Sequence, residues 1–405
     1  MNTTHSPPHH KSPVIRWAVL ALSLAAFGSG ISQRVTDALL PVLMQEFSLP
    51  LAAVSWVITC FTGGYAMCQL FFGPVGDRYG KFLVIAWACG ACCVAAFLCA
   101  LAPGLGLLLA ARTLAGAMTA AIIPLSMAWI GDVVPYEQRQ PVLARFLMGQ
   151  ILGVATGQLL GGLSADYFGR RVPFLVLTAL FAVAMAAMFT MRKRLPPAAL
   201  LTRPMHSHAL RHLLQEFSAV LSRRWARVVL LTAFLEGALV FGPFAYFATH
   251  LHRTLDISLT ASGSILMCFG AGGLSFAVLS RRLVSRLGEV GLVRGGSFVL
   301  LVTVSVIAFA PGIVPTALAC LVMGVGFYMI HNTLQTNATQ MAPERRGAAV
   351  AAFALSFFIG QSCGVAIAGW GIVYLGARIV IIASAVGMLL TAMNFMREKQ
   401  RVLAA

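Results

Sequence analysis

Residues 73–82 read GPVGDRYGKF, three glycines and three charged side chains set between two apolar runs, 54–76 and 82–102. Gly73, Gly76 and Gly80 permit a tight turn and close backbone approach, and Asp77, Arg78 and Lys81 put charge where a helix would leave a bilayer. Outward from this loop, apolar runs of similar length recur at 16–44, 105–130, 142–164, 172–191, 227–249, 259–280, 290–310, 312–341, 347–374 and 377–395. A spanning helix needs about 20 predominantly apolar residues. With 59% hydrophobic residues, 10% charged residues and a mean hydropathy of +0.86, the 405-residue chain reads as an all-α membrane protein of twelve transmembrane helices.

A net charge of +17 invites a nucleic-acid reading, and the placement of the charge argues against it. If residues 1–15 lie inside, the inner segments hold 23 of the 29 Lys and Arg, and the outer loops hold only Arg170, Arg171, Arg253 and Arg378. This is the positive-inside bias, so both termini are expected in the cytoplasm of a bacterial inner (plasma) membrane, the basic surplus serving orientation and contact with the lipid bilayer. The nine cysteines lie in apolar runs without a second ligand pair and read as small packing residues. His9 and His10 belong to a polar tail. No metal, no cofactor, no catalytic residue and no nucleic-acid partner is expected.

The chain repeats itself. GQILGVA at Gly149 returns as GQSCGVA at Gly360, RYGK at Arg78 as RLGE at Arg286, and Pro135 as Pro343, at spacings of 211, 208 and 208 residues. A nearly constant offset implies two pseudo-symmetric six-helix bundles. The expected organisation is a tail at 1–15, bundles at 16–191 and 227–395, a basic cytoplasmic linker at 192–226 and a tail at 396–405. In the linker Leu210, Leu213, Leu214, Phe217, Val220 and Leu221 fall at helical spacing and suggest a helix on the inner surface, whereas Pro196, Pro197 and Pro204 leave residues 195–208 open to a flexible reading.

The loop at 73–82 resembles the signature loop of the major facilitator superfamily, with Phe82 in place of its last basic residue. The resemblance implies the major facilitator fold, and a cytoplasmic latch in which Gly73, Asp77, Arg78, Gly80 and Lys81 hold the halves together when the cavity faces outward. Ser285 stands where Asp77 would align, so only the first copy should act fully. RTLAGAMTA from Arg112 is similar to a family motif linked to proton coupling. Gly153, Gly157, Gln158, Gly161 and Gly162 form a helix-packing motif that resembles the antiporter motif of bacterial drug:proton antiporters, except that Gln158 replaces a proline.

Charges inside the apolar runs mark candidate functional sites. Taking one continuous helix from Arg16 to Glu46, Arg34 lies about 5 Å and Asp37 about 9 Å to the outer side of its midpoint, and Arg112 lies roughly 7 Å to the same side in its own segment. The expected substrate cavity is therefore lined by Arg34, Asp37, Arg112, Glu236, His331 and Asn332, with Glu236, Asp37 and Arg112 in proton coupling. A local ion pair for Arg34 with Asp37, and structural hydrogen bonding for Glu236 and His331, remain the plainer alternatives. No nucleotide-binding loop is present. The reading is a secondary transporter moving a small-molecule substrate and protons, functional as a monomer, by proton-coupled efflux. Uptake of a metabolite, or a non-transporting sensor on the same fold, are the alternatives.

Overall fold

The computed structural model describes residues 13–202 and 209–404. His9, His10 and Pro204, and the side chains of Leu210, Leu213 and Leu214, lie outside the described residues.

Among the described residues, eleven helical segments are long and apolar enough to cross a membrane: α1 Pro13–Arg34, α2 Leu51–Tyr79, α3 Lys81–Leu101, α4 Leu105–Val133, α5 Gln138–Phe168, α6 Arg171–Arg192, α7 Arg224–Leu255, α8 Leu259–Phe309, α9 Ile313–Gln340, α10 Pro343–Leu375 and α11 Ala377–Val402. α8 holds 51 residues, which as one straight helix would reach about 77 Å, more than twice the hydrocarbon thickness. It is two arms joined at Gly288, whose φ of +60° and ψ of −179° are not helical. A positive φ is open to glycine at little cost, and a reversal of direction needs it here.

The expected continuous helix from Arg16 to Glu46 is not observed. α1 stops at Arg34, residues 35–39 form turns, and a helix resumes at Leu40–Phe47. Pro41 is the physical reason: it has no N–H for the carbonyl of Asp37, and its ring clashes with that carbonyl in a regular helix. Tight bonds replace the lost ones, from Asp37 N to Arg34 O at 3.1 Å and from Leu39 N to Thr36 O at 3.1 Å.

Two hydrophobic cores form, one drawn mainly from residues between Ile15 and Ala199 and the other mainly from Val220 to Phe395. Glycine lets α5 approach α1 backbone to backbone. A Cβ on Gly149 would sit 2.7 Å from the Ser23 carbonyl oxygen, and one on Gly153 would sit 2.1 Å from that of Phe27. In the second core Gly360 meets Phe234 O at 1.9 Å and Gly364 meets Ala238 O at 2.4 Å on the same measure. Both partners of each contact recur at the 211-residue offset of the sequence repeat. Gly157 continues the ridge against α1 and Gly161 meets Val35 in the turn beyond it, whereas Gly162 faces the other way, against Leu259 of α8.

The face bearing the basic connections, termed here the inner face, carries most of the ion pairs. Lys81 bonds Asp132 at 2.6 Å, and Glu289 accepts a hydrogen bond from Asn337 at 2.9 Å while pairing with Lys399. Within residues 195–202 the linker is more ordered than a flexible reading implies. Pro197–Leu200 forms a helical turn in which the buried Ala199 accepts a hydrogen bond from Trp129 Nε1 at 2.8 Å, fixing the segment to the first core. Ala209–Leu221 is a helix whose Val220 is buried in the second core and whose Glu216 pairs with Arg345 at 3.2 Å.

On the opposite, outer face the halves meet. The Asp166 carboxylate accepts hydrogen bonds from Leu259 N at 3.2 Å and from Thr260 N and Thr260 Oγ1, both at 2.6 Å. Ser362 Oγ donates to Thr59 O at 2.9 Å between α10 and α2. Arg170 is buried rather than loose in an outer loop, held by Glu46 at 2.6 Å and by the Ala102 carbonyl at 2.6 Å.

Candidate functional site

A cavity of about 1160 Å³ separates the two halves and opens on the inner face, running from Gln33 and Arg34 down to Asp77, Lys81, Arg345 and Arg346. The last turn of α1, just before its break, contributes Gln33 and Arg34 to the closed end. Residues of that turn are buried, and Arg34 projects beneath α7, with its guanidinium carbon 4.2 Å from the ring centre of Phe241 and 5.2 Å from that of Phe244. Arg34 Nη1 lies 3.7 Å from Asp37 Oδ2, an ion pair beyond hydrogen-bonding distance. Gln158 Nε2 donates to the same Asp37 oxygen at 2.9 Å.

Arg112 is close to this pair and serves a different neighbourhood. It donates to Ser32 O at 3.0 Å, Val57 O at 3.2 Å and Thr36 Oγ1 at 3.4 Å, and stacks 4.2 Å from the Phe61 ring centre. Its side chain is 1% exposed and does not line the cavity. Asp37 and Glu236, both 0% exposed, are likewise behind the cavity wall, and Asn332 is half-buried outside the lining set. Of the six residues expected to line a cavity, Arg34 and His331 do so.

Glu236 ends the regular part of α7 and is followed by a π-helical turn, Gly237–Phe241, next to Pro243, which offers no N–H to the Leu239 carbonyl. Glu236 Oε2 lies 2.9 Å from His331 Nδ1 of α9. The imidazole stacks on Phe327 with centroids 5.1 Å apart and meets Phe357 at 4.9 Å. His331 thus stands between the cavity and a fully buried carboxyl group.

The loop residues lie at the mouth. Gly73, Asp77 and Lys81 line the cavity, Lys81 sits 3.3 Å from Asp77, and Arg78 stacks over Tyr79 at 5.1 Å. Gly80 has a φ of +91°, as the turn requires. Gly73 does not mediate close approach: no atom lies within 4 Å of where its Cβ would be, whereas at Gly76 the Leu125 side chain lies at 2.5 Å.

Sequence reasoning missed Gln33, Gln158 as the partner of Asp37, Asp166, and the aromatic wall of Phe241, Phe327, Tyr328 and Phe357. Phenylalanines in an apolar run carry no signal separating cavity wall from packed core. Asp166 and Gln158 carried a readable signal, polar side chains inside or beside a glycine-rich helix.

A sequence profile of the Major Facilitator Superfamily matches residues 22–357. The chain belongs to this superfamily and is a transporter, not an enzyme. It is 23% identical over 348 residues to the uncharacterized MFS-type transporter YceJ of Bacillus subtilis (strain 168), covering 85% of this chain and 86% of that one. It is 27% identical over 176 residues to the multidrug export protein EmrB of Escherichia coli (strain K12), covering 43% of this chain and 34% of that one. The fold is similar to that of the nucleoside transporter NupG, with a TM-score of 0.74 at 15% identity, covering 94% of this chain and 98% of that one.

Proposed function

We propose that the chain exports a small organic solute in exchange for protons, by alternating access across a bacterial inner membrane, acting as a monomer with both termini in the cytoplasm. The architecture behind this reading is twelve helices in two pseudo-symmetric six-helix bundles, each arm of α8 crossing once. The break at Gly288, the two cores and the recurrence of glycine contacts at one offset support it. The positive-inside distribution supports the orientation, which makes the described state inward-open. Similarity to a multidrug export protein and the glycine ridge of α5 support export.

The observation that carries proton coupling is the pair of Glu236 with His331. A proton entering from the cavity reaches the imidazole and passes along one hydrogen bond to a carboxyl group sealed from solvent. Rocking the halves alters the hydration of Glu236, and with it its proton affinity, as a carrier requires. Asp37, paired with Arg34 and Gln158, is the second carboxyl group in the layer, with Arg112 holding the α1 break beside it.

Glu236→Gln tests the reading, because it keeps shape and hydrogen bonding and cannot release a proton. With a substrate identified by a thermal-shift screen of metabolites and antimicrobials, energised inverted vesicles bearing the wild type should accumulate it. Vesicles bearing Glu236→Gln should bind it without accumulation. Full accumulation by the variant would remove Glu236 as the carrier, and wild-type transport in the opposite direction would make the protein an importer.

A further inference from the structure

The cavity's chemistry is uneven along its length. At the mouth, acidic and basic side chains alternate and pair, Lys81 with Asp77 and Arg345 with Glu216. At the closed end only the donor of each pair faces the cavity: Arg34 and His331 line it, and their partners Asp37 and Glu236 do not. Each carboxyl group is screened by a donor standing in front of it, Asp37 by Arg34 and Gln158, Glu236 by His331.

Arg34 and Gln33 line the closed end and are 4% and 8% exposed. Among the described residues Arg34 Nε and Gln33 Nε2 are buried without a hydrogen bond, and Arg34 Nη1 has only the Asp37 carboxylate at 3.7 Å. Leaving a donor such as Gln33 Nε2 buried and unpaired costs roughly 1–3 kcal/mol, a cost that an acceptor reaching it through a small side-chain shift offsets. Around them stand the rings of Phe241, Phe327, Tyr328 and Phe357, an apolar surface wide enough for a fused-ring or branched body. The volume exceeds that of a typical small-molecule pocket, roughly 300–1000 Å³.

Resting on the transport reading, we infer that the solute is an amphipathic organic anion, its carboxylate, sulfonate or phosphate group held by Arg34 and Gln33 and its apolar body by the Phe241 wall. A lipophilic cation would meet a guanidinium first and find both carboxyl groups behind donors. Phe241 cannot serve it as a free cation-binding face, because Arg34 already occupies that ring.

Three probes with one naphthalene body separate the classes: naphthalenesulfonate, naphthalenemethanol and naphthylmethyl-trimethylammonium, each titrated against the full-length detergent-purified protein. The sulfonate should bind at least about tenfold more tightly than the cation, the scale of one charge-assisted hydrogen bond. Arg34→Gln should abolish that preference while leaving the alcohol's affinity unchanged. Equal or tighter binding of the cation by the wild type overturns the inference, as does unchanged sulfonate affinity in Arg34→Gln. Where Arg34→Gln does not fold, Gln33→Leu takes its place with the same expectation at smaller amplitude, and the wild-type ranking decides independently. Flux in proteoliposomes separates this inference from the reading beneath it. Naphthalenesulfonate bound with the predicted preference but never moved upholds the ligand class and counts against transport. Preferential movement of the trimethylammonium probe upholds transport and sinks the anion.

Discussion

Gln158 of α5 donates a hydrogen bond to Asp37 in the broken end of α1, at 2.9 Å, with both side chains at most 1% exposed. The contact turns the departure from the antiporter motif into a bond between two helices that glycine has already brought together. Without the amide, Asp37 Oδ2 would keep only Arg34, at 3.7 Å.

Gln158→Leu should therefore lower thermal stability, by about 1–3 kcal/mol for a buried carboxylate stripped of a donor. Adding Asp37→Asn should recover much of the loss, since the neutral side chain carries no charge to satisfy. A thermal-unfolding double-mutant cycle measures the coupling, and additive losses would show that the bond contributes nothing of its own.

Glycine contacts give a contrast within one chain. Gly153→Ala forces a methyl group to within 2.1 Å of the Phe27 carbonyl oxygen, so α5 must move from α1 and folding yield should fall sharply. Gly73→Ala enters open space at the cavity mouth and should express and melt like the parent. Equal behaviour of the two in size-exclusion chromatography would contradict the packing described.

Asp166 joins the halves on the outer face through three hydrogen bonds to Leu259 and Thr260. Asp166→Ala should shift the population toward outward opening by about tenfold, the equivalent of roughly 1.4 kcal/mol. In a background with the native cysteines replaced, Ser262→Cys, buried at this seam, should then label faster with a membrane-impermeant maleimide added from outside. An unchanged labelling rate would mean that the outer seam is held by packing alone.

In the described state Asp77 pairs with Lys81 of its own loop and is 43% exposed, so its charge contributes little to the stability of this state. Asp77→Asn should melt within about 0.5 kcal/mol of the parent and still lose transport, if the loop acts when the halves close over it. Wild-type flux would limit the loop to orienting the chain.

The fold was legible because membrane spans announce themselves through length and hydropathy, and because the loop at 73–82 and the repeat reinforce one another. Arg34 with Asp37 was legible too, being three residues apart. The local break between them depends on Pro41, whose effect lies four residues upstream and was overridden by the apolar pattern. Arg112 is expected in the cavity lining and instead lies behind it, because its acceptors are mostly backbone carbonyls, which carry no sequence signal. Glu236 and His331 are 95 residues apart in the chain, and only tertiary packing joins them. Residues 195–202 looked loose for their prolines, and the bond that fixes them comes from Trp129, in a distant helix.

Lys81 and Glu289 occupy equivalent places in the two halves, yet one reaches an aspartate and the other an asparagine and a lysine. The sequence repeat, RYGK at Arg78 against RLGE at Arg286, inverts the sign of the charge at this corner. Placing the first half's lysine at Glu289 alone would set it opposite Lys399, like charge against like. Each corner is thus matched in charge to its own neighbours, Lys81 to Asp132 and Glu289 to Lys399, and the two side chains cannot trade places.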